Sequence, residues 1–351
     1  MDFNKISKRI ISPKATLLSA LKQMDSTETK LLIVLEKNKF ISVLSIGDIQ
    51  RAIINNIKLN TNVSKILRND IIFATEDMSF DEIKKIIIDN RIECMPVIDN
   101  EEKLVDVYFW EDVFGPIKRA PSKKLQLPVI IMAGGKGERL KPITNVLPKP
   151  LIPIGERTIM EEIMIHFQDA GCKQFFISVN YKADMIKYYF KTLKNNQYNI
   201  TYFQEKKPLG TAGSLHLLNG KINSTFFVTN CDILIDQDLS EIYDYHIDNN
   251  NEMTIIVALK SYKVPYGTVT SGEKGMLLDL LEKPEITYMI NSGVYLLEPH
   301  LLREIPENQF FHITDLIQVI LKRKGRIGVF PVSERSWKDI GEWDEYLKNK
   351  F

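Results

Sequence analysis

The spacing of hydrophobic positions changes near residue 128, which predicts two regions of different architecture. Before that point, helix-period segments alternate with apolar strands in two copies, TLLSALKQMDSTETKLLIVLEKNKFISVLSIGDIQRAI and SFDEIKKIIIDNRIECMPVIDNEEKLVDVYFWEDVFG. The spacing of Ser42 to Asp48 returns in Asp106 to Asp112. Because so short a unit cannot bury its own hydrophobic face, we expect copies 1–60 and 61–117 to pack together as an α+β pair.

The stretch PIKRAPSKKLQLP is rich in prolines and cations and predicts a solvated, stiff linker, which we set at residues 118–127. After it, short β-rich runs alternate with amphipathic helices as far as residue 351. This alternation predicts a doubly wound, Rossmann-like α/β domain with a mixed sheet over 128–351, in which ligands bind at the carboxyl ends of the strands. The predicted strands are PVIIMAGG, QFFISVN, NITYFQE, TFFVTNCDIL, EMTIIVAL, NSGVYLLE and GRIGVFPV.

Composition narrows the choice of partner. The formal net charge is +1 and no block of like charges marks a tail, so we expect no nucleic-acid partner. The first residues, MDFNKISKRIISPK, lack the apolar core of a signal peptide, and no apolar run is long enough to span a bilayer. The cysteines, Cys94, Cys172 and Cys231, show no metal-binding spacing. We therefore expect a cytoplasmic protein with reduced core thiols.

The segment MAGGKGERLKPITNVLPKPL, residues 132–151, combines glycines with cations after an apolar strand, a pattern typical of phosphate binding. A dinucleotide fingerprint would require glycine at Leu140, and a P-loop would require lysine at Glu138. A third interpretation fits better. Gly134 and Gly135 let a nucleotide approach the backbone, while Arg139 and Lys149 neutralise a triphosphate. The prolines flanking Lys149 predict a stiff, extended segment there.

The longer stretch VIIMAGGKGERLKPITNVLPKPLIPIG resembles the signature of sugar-1-phosphate nucleotidyltransferases, and the resemblance extends over nearly all of residues 128–351. Glu138 departs from it, since Thr or Ser is frequent there. The resemblance implies a GT-A-like fold and a catalytic role for Arg139, Lys149, Lys283 and Asp232. It implies nucleotide-binding roles for Ala133, Gly134, Gly135, Glu205, Gly210 and Asn230. It also implies that Asp232 and Asp339 bind Mg²⁺, and that Gly267, Glu282, Lys283 and Asn291 hold the sugar phosphate.

The reaction implied is attack of the sugar phosphate on the α-phosphorus of a nucleoside triphosphate, with pyrophosphate leaving. Family members place the residue that reads the base where this chain has Glu205. A carboxylate only accepts hydrogen bonds, and guanine offers two adjacent donors, so we expect GTP. Gln204 lies one position away, and a shift of register would favour a pyrimidine nucleotide instead. Pairing of Glu205 with a loop lysine is the plain structural alternative.

Proteins that combine such a transferase with an N-terminal pair of repeats like residues 1–117 resemble glucosamine-1-phosphate guanylyltransferases of bacterial legionaminic acid synthesis. Mannose- and heptose-1-phosphate guanylyltransferases share the same motifs. No hexapeptide repeat follows, so we expect no second, acyltransferase activity. Uridylyl, thymidylyl or cytidylyl transfer, or a nucleotide sensor without turnover, are alternatives that the motifs leave open.

The N-terminal repeat resembles a CBS-domain pair. In that family the acid at Asp48 and Asp112 holds the ribose of an adenine nucleotide, with a hydroxyl such as that of Ser45 assisting. Phe109 replaces that hydroxyl in the second copy. The alternative is a packing module without a ligand. The resemblance also implies a homo-oligomer.

Overall fold

The structure is a computed structural model that describes residues 6–90, 92–114, 123–193, 197–205 and 207–348, without the side chains of Asp112, Asp344, Glu345 and Lys348. The chain divides into two compact units, Met1–Arg119 and Ala120–Phe351. Residues 118–122, half of the predicted linker, lie outside the described residues. None of the helices described is long and apolar enough to cross a membrane.

The first unit repeats one order of elements, strand–helix–strand–strand–helix. The first copy comprises β1 (Ile10–Ile11), α1 (Leu17–Ser26), β2 (Leu31–Glu36), β3 (Lys39–Ser45) and α2 (Ile46–Ile54). The second comprises β4 (Ala74–Thr75), α3 (Phe80–Asn90), β5 (Cys94–Ile98), β6 (Leu104–Phe109) and α4 (Trp110–Phe114). In each copy the first strand runs parallel to the second, and the second runs antiparallel to the third.

One hydrophobic cluster joins the two copies. Ile33 and Val43 of the first copy pack with Cys94, Val107 and Phe109 of the second, and all five are buried. Burial of these apolar faces on one another stabilises the pair. Apolar residues of the two copies therefore pack against one another in this unit.

The second unit is built on a seven-stranded mixed sheet with the order β11-β10-β7-β12-β17-β14-β18. Its strands are β7 (Val129–Met132), β10 (Gln174–Val179), β11 (Asn199–Gln204), β12 (Phe226–Asn230), β14 (Met253–Lys263), β17 (Glu285–Leu297) and β18 (Ile327–Ser333). Strands β11, β10, β7 and β12 are parallel, and β17 is antiparallel to both neighbours. All seven correspond to predicted strands, so the fold class is confirmed.

Helices cover this sheet, and local capping fixes where several of them begin. They are α5 (Ile159–Asp169), α6 (Ala183–Thr192), α7 (Leu239–Asp248), α8 (Ile313–Lys322) and α9 (Trp343–Lys348). Thr158 and Glu161 form a reciprocal capping box at the start of α5. Leu316 and Ile320 of α8 are fully buried and pack in one core with Phe226 of β12.

Three short antiparallel pairs lie outside the main sheet. They are β8 (Pro153–Ile154) with β9 (Arg157–Thr158), β13 (Ile233–Ile235) with β19 (Trp337–Asp339), and β15 (Thr268–Ser271) with β16 (Leu277–Leu281). Their pairing partners are not evident from the alternation of apolar and polar residues. The pair β13–β19 matters most, because it adjoins the site described next.

Candidate active site

The glycine loop leaves the carboxyl end of β7 and turns sharply at Gly137. Gly137 has a φ of 66°, and a Cβ there would lie 2.8 Å from Thr144 Cγ2 and 3.0 Å from Lys149 Cβ. Glycine is therefore required both by the left-handed backbone and by this contact. The turn leads into a 3-10 helix, Glu138–Leu140, that carries Arg139. Leu140 is fully buried, as expected of a core residue rather than a phosphate contact.

Other residues of the loop have different environments. Ala133 is buried, and its amide donates to the carbonyl of Ser178 on β10. A Cβ on Gly135 would meet no atom within 4 Å, so packing within the protein does not demand glycine there.

The prediction of an extended segment at Lys149 is wrong in part. Pro148 is extended, but Lys149–Leu151 forms a 3-10 turn because the Ile152 amide bonds back to the Lys149 carbonyl.

The pair β13–β19 brings the two predicted metal-binding carboxylates together. Ile233 is paired with Asp339, and the Ile340 amide donates to the Asp232 carbonyl at 2.9 Å. Asp232 is 5% exposed and Asp339 is partly buried. Burial and the negative charge of Asp232 raise the pKa of Asp339 above its usual range. The two acids therefore form a like-charge pair that favours a nearby cation.

Two cations meet these carboxylates in the structure. The Lys149 ammonium, itself buried, donates a hydrogen bond to Asp232 Oδ2. Arg139 lies 3.5 Å from Asp232 and 3.6 Å from Asp339, and it donates to Glu342 at 2.5 Å. Burial lowers the pKa of Arg139, but the bond to Glu342 and the charges of both aspartates raise it overall. Arg139 and Lys149, the two predicted triphosphate ligands, thus converge on one point.

The donor set suits Mg²⁺. Asp232 and Asp339 offer only oxygen, and Mg²⁺ commonly binds one or two carboxylates and completes its shell with water and substrate phosphates. The like-charge repulsion in this pair is what a divalent cation would relieve. A separate cluster, Glu252, His300 and Glu304, also has metal-like spacing. Arg323 already binds both glutamates there, so that cluster is an ion-pair network.

Gly341 and Glu342 belong to the same site although the motifs did not identify them. A Cβ on Gly341 would lie 2.5 Å from Lys149 Nζ and 2.8 Å from Asp339 Oδ1, and it would also strike Asp232 Oδ2. The Gly341 amide donates to Asp339 Oδ1 at 2.9 Å. The glycine after Asp339-Ile340 was the available signal for Gly341. No local pattern in the sequence points to Glu342.

Glu205 lies directly after β11 and beside the glycine loop. A Cβ on Gly134 would be 3.0 Å from Glu205 Oε1, so the absence of a side chain at Gly134 makes room for this carboxylate. Glu205 accepts hydrogen bonds from the Leu209 amide at 3.0 Å and from Asn180 at 3.4 Å. Burial raises the pKa of Glu205, and these two bonds offset part of the shift.

The neighbouring glutamine has a different orientation. Gln204 is exposed and accepts a hydrogen bond from Lys187, whereas Glu205 is buried. Of the two residues, Glu205 therefore adjoins the glycine loop. Within the described part of the chain, the partners of Glu205 are thus a backbone amide and an asparagine; Lys206, a lysine of that loop, lies outside the described residues.

The predicted sugar-side residues form two smaller groups. Gly267 adjoins Glu282, since a Cβ on the glycine would be 2.9 Å from Glu282 Oε2. Lys283 is exposed with a φ of 47° in the bend between β16 and β17. Asn291 lies within β17 and accepts a hydrogen bond from the Gly293 amide at 3.1 Å. The described contacts do not join Lys283 to the carboxylate pair.

Asn230 and Gly210, two residues predicted to bind the nucleotide, both take part in close packing within the protein. A Cβ on Gly293, whose φ is 84°, would lie 2.6 Å from Asn230 Nδ2, so Asn230 is held against β17. Gly210 has a φ of 82° and adjoins the Phe311 carbonyl, at 2.7 Å from the position of a Cβ. Both glycines are required by backbone conformation and close contact, whatever ligand binds.

In the first unit, Ser45 and Asp48 do meet, as a capping box at the start of α2. Asp48 is 5% exposed, and it accepts from the Ser45 amide, the Ser45 hydroxyl and Arg51, with Arg68 at 3.1 Å. Phe109 is buried beneath the Arg9 guanidinium, 4.2 Å from the ring centroid. The side chain of Asp112, the equivalent acid in the second copy, lies outside the described residues.

The fold of the second unit, together with the cations and carboxylates beside its glycine loop, is that of a nucleotide-transferring class of protein. The family model described as nucleotidyl transferase matches residues 128–350, and the chain belongs to that family. The CBS-domain model matches residues 63–115, which is the second copy of the repeat.

Particular relatives are similar over part of the chain. The mannose-1-phosphate guanylyltransferase catalytic subunit beta of Drosophila melanogaster is 32% identical over 50% of this chain and 49% of its own. The mannose-1-phosphate guanyltransferase of Aspergillus oryzae is 31% identical over 63% of this chain and 62% of its own. The chain thus spans half to three fifths of these curated relatives. The crystal structure of HddC from Yersinia pseudotuberculosis complexed with GMP-PN has a TM-score of 0.50 and 26% identity, covering 64% of this chain and 98% of that one.

Proposed function

We propose that this chain is a sugar-1-phosphate nucleotidyltransferase that transfers GMP from GTP to a hexose 1-phosphate and releases pyrophosphate. One observation carries the proposal: Lys149, Arg139, Asp232 and Asp339 converge beside the glycine loop. Membership of the nucleotidyl transferase family supports the same conclusion. Two cations and two carboxylates at one point suit the transfer of a highly charged phosphoryl group.

The mechanism requires alignment and charge rather than proton transfer. The phosphate of the sugar is already an anion and attacks the α-phosphorus in line, so no general base is needed. Arg139 offsets charge on the triphosphate and on the leaving pyrophosphate, while Lys149 and Lys283 bring two mutually repelling anions together. Asp232 and Asp339 would hold Mg²⁺, which supplies positive charge to the phosphate oxygens.

Glu205 supports guanine as the base. Its buried carboxylate adjoins Gly134, and a carboxylate has acceptors for both N1–H and N2–H of guanine. Uracil and thymine present one donor between two acceptors and match glutamine better. The two curated relatives are named as a guanylyltransferase and a guanyltransferase, which supports the same preference for guanine.

For the sugar we consider two substrates. The names of the curated relatives favour mannose 1-phosphate. The combination of a CBS repeat with this transferase favours glucosamine 1-phosphate and synthesis of a nonulosonate such as legionaminic acid. For the first unit we propose that adenine nucleotide binds near Ser45 and Asp48 and tunes activity in a homo-oligomer.

The test is pyrophosphate release with Mg²⁺, crossing GTP, CTP, UTP, dTTP and ATP with mannose-, glucosamine-, N-acetylglucosamine- and glucose-1-phosphate. Turnover with GTP and one sugar, abolished by Asp339→Asn but retained in Asp248→Asn at the exposed end of α7, is the expected result. Binding of GTP without turnover on any sugar would favour a nucleotide sensor. Unchanged kinetics with AMP, ADP and ATP, together with no calorimetric binding, would refute regulation through the first unit.

A further inference from the structure

The loop between Arg139 and Lys149 contains a 3-10 helix, Ile143–Asn145, and the last carbonyls of a helix have no partner within it. Such carbonyls carry partial negative charge and require donors from elsewhere. Here the donors come from Tyr181 and Lys182, which follow β10. Lys182 Nζ donates to the carbonyls of Asn145 at 2.6 Å and Val146 at 2.7 Å, with Thr144 at 3.4 Å.

The backbone at Lys182 has an uncommon conformation, and the neighbouring Tyr181 contacts the same turn. Lys182 is the residue before α6 and has a φ of 51°, a left-handed conformation that is uncommon outside glycine. The hydroxyl of the adjacent Tyr181 donates to the Thr144 carbonyl at 3.2 Å. The three carbonyls that Lys182 contacts belong to consecutive residues, so the ammonium closes over the end of the turn.

The 3-10 helix that Tyr181 and Lys182 contact packs closely against the candidate site. Thr144 is 1% exposed, and its methyl carbon is 2.8 Å from the position of a Cβ on Gly137, which would also be 3.0 Å from Lys149 Cβ. A displacement of the turn would therefore be transmitted to Gly137 and Lys149, because such close packing leaves no space to absorb it.

We infer that Lys182 is a positioning residue for the triphosphate, since it holds the turn that sets the separation of Arg139 and Lys149. This inference rests on the proposed function and deepens it. Lys182 acts on these two cations through backbone carbonyls and not through contact with substrate. Its loss should impair the nucleotide half of the site more than the sugar half.

The experiment compares Lys182→Met, which keeps an unbranched side chain of similar length but removes the ammonium, with Lys182→Arg and with Lys191→Met, an exposed position in α6. Kinetic constants for both substrates and the melting temperature are measured. We expect kcat/KM for the nucleotide to fall by about 10- to 100-fold in Lys182→Met, with KM for the sugar phosphate within about twofold. Arginine should restore most of the loss, because it too donates to carbonyls.

The outcomes separate this inference from the proposed function. An active wild-type protein with Lys182→Met kinetics matching Lys191→Met would overturn the positioning role. Equal losses for both substrates with a lowered melting temperature, and no rescue by arginine, would make Lys182 merely structural and also overturn it. If the wild-type protein shows no turnover, the proposed function fails. Calorimetry with GTP then decides the positioning role, which requires weaker binding in Lys182→Met than in Lys191→Met.

Discussion

The Arg139 guanidinium donates a 2.5 Å hydrogen bond to Glu342, a residue 203 positions further along the chain. Both side chains are about half exposed. Arg139 thus lies near three carboxylates, those of Asp232, Asp339 and Glu342. In the proposed reaction a triphosphate would compete with Glu342 for this guanidinium.

Glu342→Gln should lower the KM for the nucleotide by about threefold and change kcat less than twofold. The amide keeps a hydrogen-bond acceptor but removes a negative charge that competes with phosphate, and exposed pairs of this kind contribute only about 0.2–1 kcal/mol. Steady-state kinetics over a range of GTP concentrations provide the measurement. A large rise in KM would show instead that Glu342 orients Arg139.

Gly341→Ala should reduce kcat at least about 100-fold, because a methyl group would occupy the space between Lys149, Asp232 and Asp339. The strain should also cost about 1–3 kcal/mol of stability. Pyrophosphate release, normalised to the folded fraction from circular dichroism, separates the two effects. Gly47→Ala is the matched control when no adenine nucleotide is present, since a Cβ there meets nothing nearer than 3.4 Å. Wild-type activity in Gly341→Ala would argue against a site at this point.

Glu205→Gln should reduce the preference for GTP over UTP by at least about tenfold, because glutamine has one acceptor and one donor where guanine needs two acceptors. The comparison is of kcat/KM for the two nucleotides with one sugar phosphate. Gln204→Glu, one residue away and exposed, should leave the preference unchanged. Loss of preference in Gln204→Glu alone would transfer the role to Gln204.

Glu252 should contribute to stability in a pH-dependent way. Hydrogen bonds from Arg323 lower its pKa to about 2 from an ordinary 4.5. Because the folded-state pKa is depressed, the stabilisation is complete above about pH 4.5 and is lost as the pH falls towards 2. Glu252→Gln should therefore cost roughly 1–2 kcal/mol at pH 7 and much less near pH 2.5.

The measurement is urea unfolding at both pH values. Glu162→Gln, which breaks a more exposed pair with Arg157, should cost under about 0.5 kcal/mol. A loss from Glu252→Gln that is the same at both pH values would contradict the ionic explanation.

The sequence predicted the seven strands of the main sheet because their runs are rich in apolar and β-branched residues, and β10 and β12 are apolar runs buried on both faces. It also predicted Arg139, Lys149, Asp232 and Asp339 as one group, which the structure brings together. Their chemical roles stay predictions until they are measured.

Other parts could not be predicted, for physical reasons. Strands β13 and β19 have three residues each, too few for a period to be visible, and their pairing depends on tertiary contact. Glu342 is an ordinary exposed acid until the fold places it beside Arg139. The 3-10 turn at Lys149 arises from local backbone bonding that proline spacing alone does not reveal.

The pairing of β13 with β19 has a consequence for synthesis. Asp232 is synthesised well before Asp339. Until β19 has been made, β13 has no partner strand, and Asp232 has Lys149 beside it but no second carboxylate. A nascent chain halted before residue 337 would hold the glycine loop and Glu205, yet lack Asp339 and the strand that pairs with β13. The carboxylate pair would therefore be complete only after the last part of this unit has been synthesised.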